Sequence, residues 1–598
     1  MKQNKDKGGL RRLLQAVALV WKSGPRLMLG SSVVMVLQGM LPIIPVYAVK
    51  LIVDAVDLGK PFRTILPLVV ITGAAILATA LLQSVGSYLR EAQSQVLSDY
   101  MQGRIHEKSL QLDLSFYEGS EFFDKLHRAQ QEAPQRPAQV VDTLMNIFRS
   151  GISVAGIAGI LLITLPWYTV LVLGASALPI ALVRLTASGR LFAWRMKRTT
   201  AERHVNYLNW LITARPNAKE LRLFGLGKLF MERSREWRDR LRKESLSLNA
   251  RRSAGEFVAS GIQAAVVAGL LGFFAFRSTR GSGSLGNLVL FFQAIQKGQQ
   301  VLGELLRGFA QLYETNLFLA SVFDFLGLSP TITATRTATR PADSKQGMEL
   351  EEVSFSYPGS DHKVLDKISL HVRPGELIAI VGDNGAGKTT LIKLLCRFYD
   401  PTSGIIRMDG QDYRTLEAGA LRARMAVLFQ DSSQYYYSAE QNIWFGDVSK
   451  EVNGELVIKS ARKAQAHEFV GALPQGYGTV LGRWLEEGAE LSGGQWRKIA
   501  LARTLYRDAP FLVLDEPTTG LDPQSEANFI DSLRELAEGR SMVMVSHKIA
   551  SAIQADRIYV MRDGRVIEQG SHDELLGLDG YYAGLYRTQL RQIQAESR

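Results

Sequence analysis

Six long apolar runs in the first half of the chain constrain its fold more than any other feature. The runs cover about 27–53, 65–89, 140–165, 167–186, 257–276 and 285–302. Several reach the ~20 residues with which an α-helix crosses a hydrocarbon layer ~30 Å thick, a length that soluble core helices do not need in such succession. We therefore predict a membrane all-α domain of six spans. Because the number of spans is even, both ends of the chain lie on one side of the membrane.

The distribution of positive charge indicates which side that is. The net charge of +12 could by itself indicate nucleic-acid binding. However, Lys and Arg are concentrated near the start of the chain, between the second and third runs and between the fourth and fifth, whereas the opposite loops are short. Cytoplasmic segments of membrane proteins carry such an excess. We therefore predict a multi-pass protein of the cell's inner (plasma) membrane with cytoplasmic termini, and no nucleic-acid partner.

Composition also divides the chain into domains. Apolar residues at helical spacing from Leu10 to Trp21 predict an N-terminal helix that lies along the membrane surface or packs as an ordinary helix. Residues 328–347 are rich in Thr, Pro and Ser and lack apolar periodicity, which is typical of a linker. The prediction is a transmembrane domain over 1–327, with two long cytoplasmic arms, and a soluble domain over 348–598.

The sixth apolar run carries polar residues along one face. Its candidate cavity residues are Gln293, Gln296, Lys297 and Gln300, and the stripe continues through Glu304, Arg307 and Gln311. Polar groups at bilayer depth line a watery cavity or face a partner helix, whereas beyond the bilayer they form a solvated face. Glu304 and Arg307 are three residues apart and could pair with each other.

The soluble domain contains a phosphate-binding pattern. The stretch "GELIAIVGDNGAGKTTLIKLL" predicts a buried strand, a glycine-rich turn and a helix, which is the P-loop arrangement. The candidate nucleotide-binding residues are Gly382, Asp383, Asn384, Gly385, Ala386, Gly387, Lys388, Thr389 and Thr390. Glycines let the backbone approach the phosphates, Lys388 can reach the β and γ oxygens, and Thr389 can hold Mg²⁺. The pattern predicts an α/β P-loop NTPase that binds Mg²⁺ with its nucleotide.

Two further motifs follow the P-loop in sequence. "FLVLDEP" is an apolar strand that ends in two acids, with Asp515 placed to hold the metal and Glu516 to polarise an attacking water. "LSGGQ" is a second glycine turn at the start of a helix, where unpaired N–H groups and the helix dipole favour an anion. Its residues are Ser492, Gly493, Gly494 and Gln495. One chain thus carries two phosphate-binding turns that are far apart in sequence.

Taken in this order, the motifs resemble the ATP-binding cassette (ABC) family, and the resemblance covers nearly the whole chain. It implies that Tyr357 stacks on adenine and that Gln430 senses Mg²⁺ and water. It also implies that His547 contacts the γ-phosphate and that Asp522 acts across a dimer interface. The catalytic residues implied by the resemblance are Glu516, His547, Gln430 and Lys388, and the Mg²⁺ residues are Thr389, Gln430 and Asp515.

The resemblance also implies a role for the second glycine turn. In the ABC family the turn beginning at Ser492 closes over ATP held by a second copy, so one chain is a half-transporter. Lineages with unlike partners often lose the glutamate or alter the serine turn in one copy. Because Glu516 and Ser492 are both intact, a homodimer is expected rather than a heterodimer.

The cytoplasmic arms resemble those of bacterial peptide and multidrug exporters. Leu112–Ala129 and Tyr207–Gly227 resemble stretches whose short helices plug into the cassettes. The resemblance implies a primary active exporter that moves an amphipathic or peptide-like substrate by alternating access. The alternatives are an exporter-shaped importer, a lipid flippase and a regulatory ABC ATPase without transport. Glu487 stands where many members have arginine, and Tyr435–Tyr437 could contact the arm helices or pack locally.

Overall fold

The structure is a computed structural model that divides the chain into two compact units. It describes residues 5–119, 126, 129–130, 136–164, 166–197, 199–279, 284–332, 346–483 and 488–596, and Glu487 lies outside these ranges. The first unit comprises Met1–Gln111 and Ser120–Leu328, and the second comprises Leu112–Gly119 and Ser329–Arg598. The sequence-based division assigned residues 112–119 to the transmembrane domain, whereas the structure groups them with the second unit.

The described residues up to 328 are mainly helical. In chain order the helices are α1 (Lys5–Ser23), α2 (Pro25–Met40), α3 (Ile43–Asp57), α4 (Phe62–Gln111), α5 (Leu114–Glu118), α6 (Arg136–Thr164), α7 (Tyr168–Lys197), α8 (Thr199–Thr213), α9 (Ala218–Leu223), α10 (Gly227–Thr279) and α11 (Leu285–Leu326). Of these, α5 belongs to the second unit. The first apolar run is interrupted between α2 and α3, where Pro42 and Pro45 have no N–H to donate to a continuous helix.

The helices of the first unit agree with a membrane location. Four helical stretches among the described residues are long and apolar enough to cross a membrane: Pro25–Asp57, Phe62–Gln111, Arg136–Thr164 and Gly227–Phe276. Tyr168–Arg184 is a shorter apolar stretch. The sixth run begins α11, whose glutamines and lysine lower its mean hydropathy. Composition therefore supports the first, second, third and fifth runs more directly than the fourth and the sixth.

Ion pairs and apolar contacts join the helices of the first unit. Phe274 of α10 and Phe291 of α11 pack with ring centroids 4.7 Å apart in a buried cluster. Glu304 does not depend on Arg307 for a partner, as its spacing had suggested, because its carboxylate lies 3.3 Å from the guanidinium of Arg149 on α6. A tertiary neighbour thus replaces the expected pair along the helix.

The second unit is an α/β fold with two sheets. Its strands are β1 (Met348–Phe355), β2 (Leu365–Val372), β3 (Leu377–Gly382), β4 (Ser403–Met408), β5 (Gln411–Asp412), β6 (Met425–Leu428), β7 (Phe511–Asp515), β8 (Ser541–Val545), β9 (Arg557–Arg562) and β10 (Arg565–Gly570). Its later helices are α12 (Lys388–Leu395), α13 (Ala418–Ala423), α14 (Ala439–Trp444), α15 (Gly454–Lys463), α16 (His467–Gly471), α17 (Gly493–Tyr506), α18 (Pro523–Ala537), α19 (Ile549–Ala552), α20 (His572–Gly577) and α21 (Tyr581–Glu596).

The topology of the larger sheet positions the candidate site. The smaller sheet is antiparallel with strand order β2-β1-β4-β5, and the larger has the order β10-β9-β3-β8-β7-β6. Strands β9, β3, β8, β7 and β6 are mutually parallel, and β3, β7 and β8 are buried along their whole length. Such continuous apolar runs are typical of parallel strands covered on both faces. Residues that follow these strands therefore meet at one edge of the sheet.

Candidate functional site

In the turn after β3, the side chain of Lys388 is hydrogen-bonded to backbone carbonyl groups of the turn itself. Nζ of Lys388 donates hydrogen bonds to the carbonyl oxygens of Gly382, at 2.7 Å, and Asp383, at 2.8 Å. Gly382 has φ +153°, and a Cβ there would lie 2.1 Å from the carbonyl oxygen of Met561. Gly385 has φ +83° with nothing within 4 Å of a Cβ position, so its backbone borders open space. Burial lowers the pKa of Lys388, although the charges of nearby acids oppose this shift.

The end of β7 places a carboxylate beside this turn. Asp515 is buried, and within the described residues its Oδ2 has no hydrogen-bond partner. Burial and then the charge of Glu516 raise the pKa of Asp515 to about 6. A buried carboxylate oxygen without a donor is costly unless a cation or water completes it. Together with the hydroxyl of the exposed Thr389, this oxygen fits Mg²⁺, a hard cation that prefers oxygen ligands.

Glu516 is the centre of a polar cluster. Its Oε2 accepts hydrogen bonds from Nε2 of Gln430, at 3.3 Å, and Oγ1 of Thr519, at 3.1 Å. Its Oε1 lies 3.3 Å from Nδ1 of His547. The backbone of Glu516 has φ +47°, a left-handed conformation that non-glycine residues adopt rarely and that is found at functional sites. The structure therefore brings together three residues that are far apart in sequence.

Arg497 positions the backbone beneath this cluster, and the sequence analysis did not single it out. Its guanidinium donates to four carbonyl oxygens at 2.5 to 2.8 Å, those of Phe429, Gln430, Asp515 and Glu516. These carbonyls follow β6 and β7, so one side chain joins the ends of two strands. The available signal was an arginine in the otherwise apolar interior of α17, where a buried charge requires partners.

The second glycine turn is organised as a helix cap. Oγ of Ser492 accepts from the backbone N–H of Gln495 at 3.2 Å, and the amide oxygen of Gln495 accepts from the backbone N–H of Ser492 at 3.0 Å. A Cβ on Gly493 would meet nothing within 4 Å, whereas one on Gly494 would lie 2.7 Å from the carbonyl oxygen of Gly520. Asp522 similarly caps α18, since its Oδ1 accepts from the backbone N–H of Ser525 at 3.0 Å.

Tyr357 lies against the helix that follows the P-loop turn. Its hydroxyl is 3.0 Å from Oγ1 of Thr390 and accepts a hydrogen bond from Nζ of Lys393 at 3.3 Å. Its ring meets that of Tyr399 edge-on, with centroids 5.4 Å apart. These contacts place Tyr357 beside the P-loop helix, and its stacking on adenine stays a prediction.

Helix α5, which is distant in sequence from the P-loop, contacts the residues around Tyr357. The carboxylate of Glu118 accepts from Nζ of Lys393 at 2.6 Å and from the hydroxyl of Tyr399. Burial opposes ionisation of Glu118, but these two hydrogen bonds and the charge of Lys393 lower its pKa. Asp113 anchors the other end of the segment, because its Oδ2 accepts from the hydroxyl of Thr331 at 2.7 Å. Residues 112–119 are thus tied to the second unit within hydrogen-bond reach of the residues around Tyr357.

Comparison with known proteins agrees with this geometry. Residues 365–519 match the family model for the ABC transporter. The chain is 29% identical over 539 residues to the nisin transport ATP-binding protein NisT of Lactococcus lactis subsp. lactis, an alignment that covers 88% of this chain and 87% of NisT. It is 42% identical over 270 residues to the ATP-dependent lipid A-core flippase of Alkalilimnicola ehrlichii, across 45% of each protein. The solved structure of a bacterial Atm1-family ABC exporter with ATP bound is similar in fold, with a TM-score of 0.76 and 24% identity, over 97% of this chain and 98% of that one.

The second unit contains an ABC transporter domain, and the chain has the fold of an ABC exporter. Its two units are a helical transmembrane region and an ABC ATPase domain, as predicted. The chain is therefore a nucleotide-binding ATP hydrolase coupled to transport across a membrane.

The polar face of α11 forms a hydrogen-bonded series. Nζ of Lys297 lies 3.5 Å from Oε1 of Gln300, whose Nε2 donates to Oε1 of Glu304 at 3.2 Å. Gln296 is exposed and Gln293 is half-buried. An apolar cavity of about 160 Å³ opens on a neighbouring face of the same helix. Its lining includes Ala294, Ile295, Gly298, Gln299 and Leu302 and does not include the four candidate residues.

The tyrosine run at 435–437 packs locally. The rings of Tyr435 and Tyr437 each meet Phe445 edge-on, with centroids 5.5 and 5.4 Å apart. The guanidinium carbon of Arg503 lies 4.5 Å from the Tyr435 ring centroid. Parts of Tyr435 and Tyr437 stay exposed, which leaves a role in contacting arm helices as a prediction.

Proposed function

We propose that two copies of this ABC exporter form a homodimer that moves an amphipathic or peptide-like substrate out of the cytoplasm. The observation that carries the proposal is the convergence of Gln430, Glu516 and His547 beside the P-loop in a chain whose other unit contains membrane-length helices. ATP binds the closed arrangement of the cassettes more tightly and so shifts the population toward it. Hydrolysis then resets the transmembrane region from its outward to its inward opening.

The residues around Glu516 suit hydrolysis of a phosphoanhydride. Glu516 orients the attacking water and holds its proton, because Gln430 and Thr519 fix one carboxylate oxygen. His547 and Lys388 stabilise the charge that develops on the phosphate oxygens. Mg²⁺, when bound by Thr389, Gln430 and Asp515, neutralises phosphate charge, and the unpartnered Oδ2 of Asp515 supports this assignment.

The serine turn supports the two-copy arrangement. At the start of α17 the amides of Gly493 and Gly494 have no partner within the helix, because the first N–H groups of any α-helix lack one. The hydrogen bonds described for Ser492 and Gln495 join them to each other. We assign this turn to the γ-phosphate of the ATP bound by the other copy, and Asp522 to the same interface.

The proposal also includes the orientation of the chain in the membrane and the chemical class of its substrate. The Lys and Arg excess of the arms supports cytoplasmic ATPase domains and termini in the plasma membrane. NisT is named as a nisin transport protein and aligns with most of this chain, which favours a peptide-like cargo. The polar residues Gln293, Gln296, Lys297 and Gln300 suit the polar part of such a cargo, and the apolar cavity beside them suits its apolar part.

Transport into vesicles tests the proposed function. The purified chain is reconstituted so that the ATPase domains face outward, and ATP is added outside with a panel of peptides, dyes and fluorescent lipids. We expect a peptide-like or amphipathic compound to accumulate inside the vesicles and to stimulate ATP hydrolysis. Vesicles that contain the Glu516→Gln variant are the matched control, because the variant keeps the membrane domain and loses the catalytic carboxylate.

The other outcomes separate the alternative functions. An importer would empty preloaded vesicles on addition of external ATP. A lipid flippase would move only the lipids between leaflets. A regulatory ATPase would hydrolyse ATP while no compound moved. Each of these results would contradict the proposed export of a peptide-like or amphipathic cargo.

A further inference from the structure

We propose that a basic cleft between α7 and α10 binds the phosphate group of an anionic lipid at the cytoplasmic surface of the membrane. The cleft is a cavity of about 370 Å³ within the first unit. Three arginines line it: Arg190 on α7, and Arg251 and Arg252 on α10. Its volume lies in the ~300–1,000 Å³ range of small-ligand sites.

The position of the arginines along the helices sets their depth in the membrane. The apolar run of α7 ends near residue 186, and that of α10 begins near residue 257. With a rise of ~1.5 Å per residue, Arg190 lies ~6 Å and Arg251 ~9 Å beyond the apolar runs. The polar headgroup layer extends ~5–8 Å outside the hydrocarbon core on each side. Arg190 therefore lies within the headgroup layer and Arg251 at its outer boundary, so the cleft opens where a lipid phosphate is available.

The local balance of charge favours an anion. The sequence of α7, from 168 to 197, contains no Asp or Glu, so Arg190 has no acidic neighbour on its own helix. The nearby carboxylate of Glu256 is shared between Arg252, at 3.1 Å, and Arg184, at 3.4 Å. Glu244 of α10 also contacts α7, where it accepts from Nε1 of Trp194 at 2.8 Å. Because neither Glu244 nor Glu256 forms an ion pair with Arg190 or Arg251 among the described residues, these two arginines supply the net charge of the cleft. Guanidinium groups bind phosphate through two parallel N–H···O bonds, and basic pockets between membrane helices bind anionic headgroups.

The rest of the lining suits a lipid better than a free ion. Val183 and Leu248 supply apolar surface beside the arginines, and Thr186 and Asn249 supply polar surface. A Cβ at Gly255 would lie 3.0 Å from Cγ1 of Val183, so the absence of a side chain there lets α7 and α10 approach closely at the edge of the cleft. A phosphate beside both apolar and polar surface matches the linkage between a glycerol headgroup and its acyl chains.

Lipid retention by the full chain tests this proposal without ATP, so its failure would leave the proposed export function untouched. The purified protein is equilibrated in nanodiscs that contain phosphatidylcholine and phosphatidylglycerol, and native mass spectrometry counts the phosphatidylglycerol retained. The test variant is Arg190→Gln/Arg251→Gln. The matched control is Arg233→Gln/Arg235→Gln, which removes the same charge from exposed positions of α10 remote from the cleft.

We expect the test variant to retain phosphatidylglycerol with an affinity weaker by on the order of 30-fold, since each basic residue near an anionic surface contributes roughly a factor of five. The control should retain the lipid as the native chain does. Equal retention by the test variant and the native chain would overturn the proposal. Displacement of the lipid by millimolar inorganic phosphate would also overturn it, because the cleft would then bind a free anion.

A conservative pair covers the case in which the glutamine variant does not fold. Arg190→Lys/Arg251→Lys keeps the charge and removes the forked N–H geometry. If its melting temperature in detergent is native and its lipid retention falls several-fold, the proposal is supported. If its retention equals that of the native chain, a guanidinium–phosphate contact in the cleft is contradicted.

Discussion

The ATPase unit and the transmembrane unit differ in where their charged side chains lie and in what those side chains contact. In the ATPase unit Arg497 and Asp515 are buried beside the candidate catalytic residues. In the transmembrane unit the apolar stretches expose apolar side chains such as Leu77, and charged residues such as Arg149 and Glu304 pair between helices. The buried charges of the ATPase unit are costly and serve chemistry, whereas the half-buried pair of the transmembrane unit joins two helices. We therefore expect loss of a charged side chain to have a larger effect on activity or stability in the ATPase unit than in the transmembrane unit.

The largest effect is expected at Glu516. Glu516→Gln should lower ATP turnover by at least about 10²-fold, because an amide cannot accept a proton from water. ATP-bound dimers should persist, since the phosphate-binding residues remain. Phosphate release and retention of labelled ATP measure the two effects.

Glu535→Gln is a matched control for that change, because Glu535 is an exposed residue of α18. Its turnover should be native. Native turnover of the Glu516→Gln variant would contradict the assignment of Glu516.

The next effect concerns stability of the ATPase unit. Arg497→Met removes the shared donor of four carbonyl groups, one of them the buried carbonyl of Asp515, and should lower the free energy of unfolding by about 3 to 5 kcal/mol. Arg462→Met, at an exposed position of α15, should change it by less than about 0.5 kcal/mol. Denaturant unfolding of the full chain in detergent distinguishes them. Equal losses in the two variants would show that Arg497 does not organise the strand ends.

Asp515 is expected to lower the stability of the nucleotide-free chain while it supports Mg²⁺-dependent ATP hydrolysis. Its pKa is raised from 3.8 to about 6, so above pH 6 the folded state holds a carboxylate that the unfolded state solvates better. Asp515→Asn should therefore raise the stability of the nucleotide-free chain by up to about 3 kcal/mol at pH 8. The gain should shrink as the pH falls from 6 toward 4, because Asp515 then becomes protonated in the native chain.

Thermal unfolding at pH 8 and pH 5 measures this dependence, and Mg²⁺-dependent ATP hydrolysis should be lost in the same variant. A variant that is less stable than the native chain at pH 8 would contradict the assignment of a costly buried charge. Asp508→Asn, at an exposed position, should show neither effect.

A smaller effect is expected where residues 112–119 join the ATPase unit. Glu118→Gln removes the charge that faces Lys393 and should raise the KM for ATP by roughly threefold to tenfold while kcat is retained. The reason is that Lys393 also donates to the hydroxyl of Tyr357. Glu417→Gln, an exposed residue of the same unit, is the control. A change in kcat at constant KM would contradict a positioning role for Glu118.

The smallest effect is expected in the transmembrane unit. A double-mutant cycle on Arg149 and Glu304, with glutamine at each, should give a coupling energy of about 1 kcal/mol. The pair Arg104–Glu107 is exposed along α4 and should give less than about 0.5 kcal/mol. Unfolding in mixed micelles measures both cycles. Equal coupling energies would contradict the prediction that a pair between two helices is stronger than a pair along one helix.

Much of the ATPase site could be predicted because its motifs are local. The P-loop and the "LDEP" motif each follow a run of apolar residues that forms a buried strand, and parallel strands bring their carboxyl ends to one edge. Lys388, Asp515 and Glu516 therefore meet as the pattern indicated. Arg497 could not be assigned in this way, because its four partners come from two distant segments.

The transmembrane unit could be predicted in outline and less well in its pairings. Apolar runs predict spans because length and hydropathy are properties of each segment. The interruption at Pro42 was not predicted, since 27–53 was treated as one apolar run. The partner of Glu304 was not predicted either, since helical spacing favoured Arg307 and the packing of α6 against α11 selected Arg149.

By itself the sequence determined the two classes of unit, the membrane-length helices and the phosphate-binding turn, because periodicity, hydropathy and glycine placement act within a few residues. The tertiary structure decided which residues that are distant in the chain share a site. It placed Glu118 beside Lys393, Arg497 beneath Glu516, and Arg190 across from Arg251. The physical reason is that burial and charge act through space, so the partner of a buried ion is selected by packing between elements and not by spacing within one.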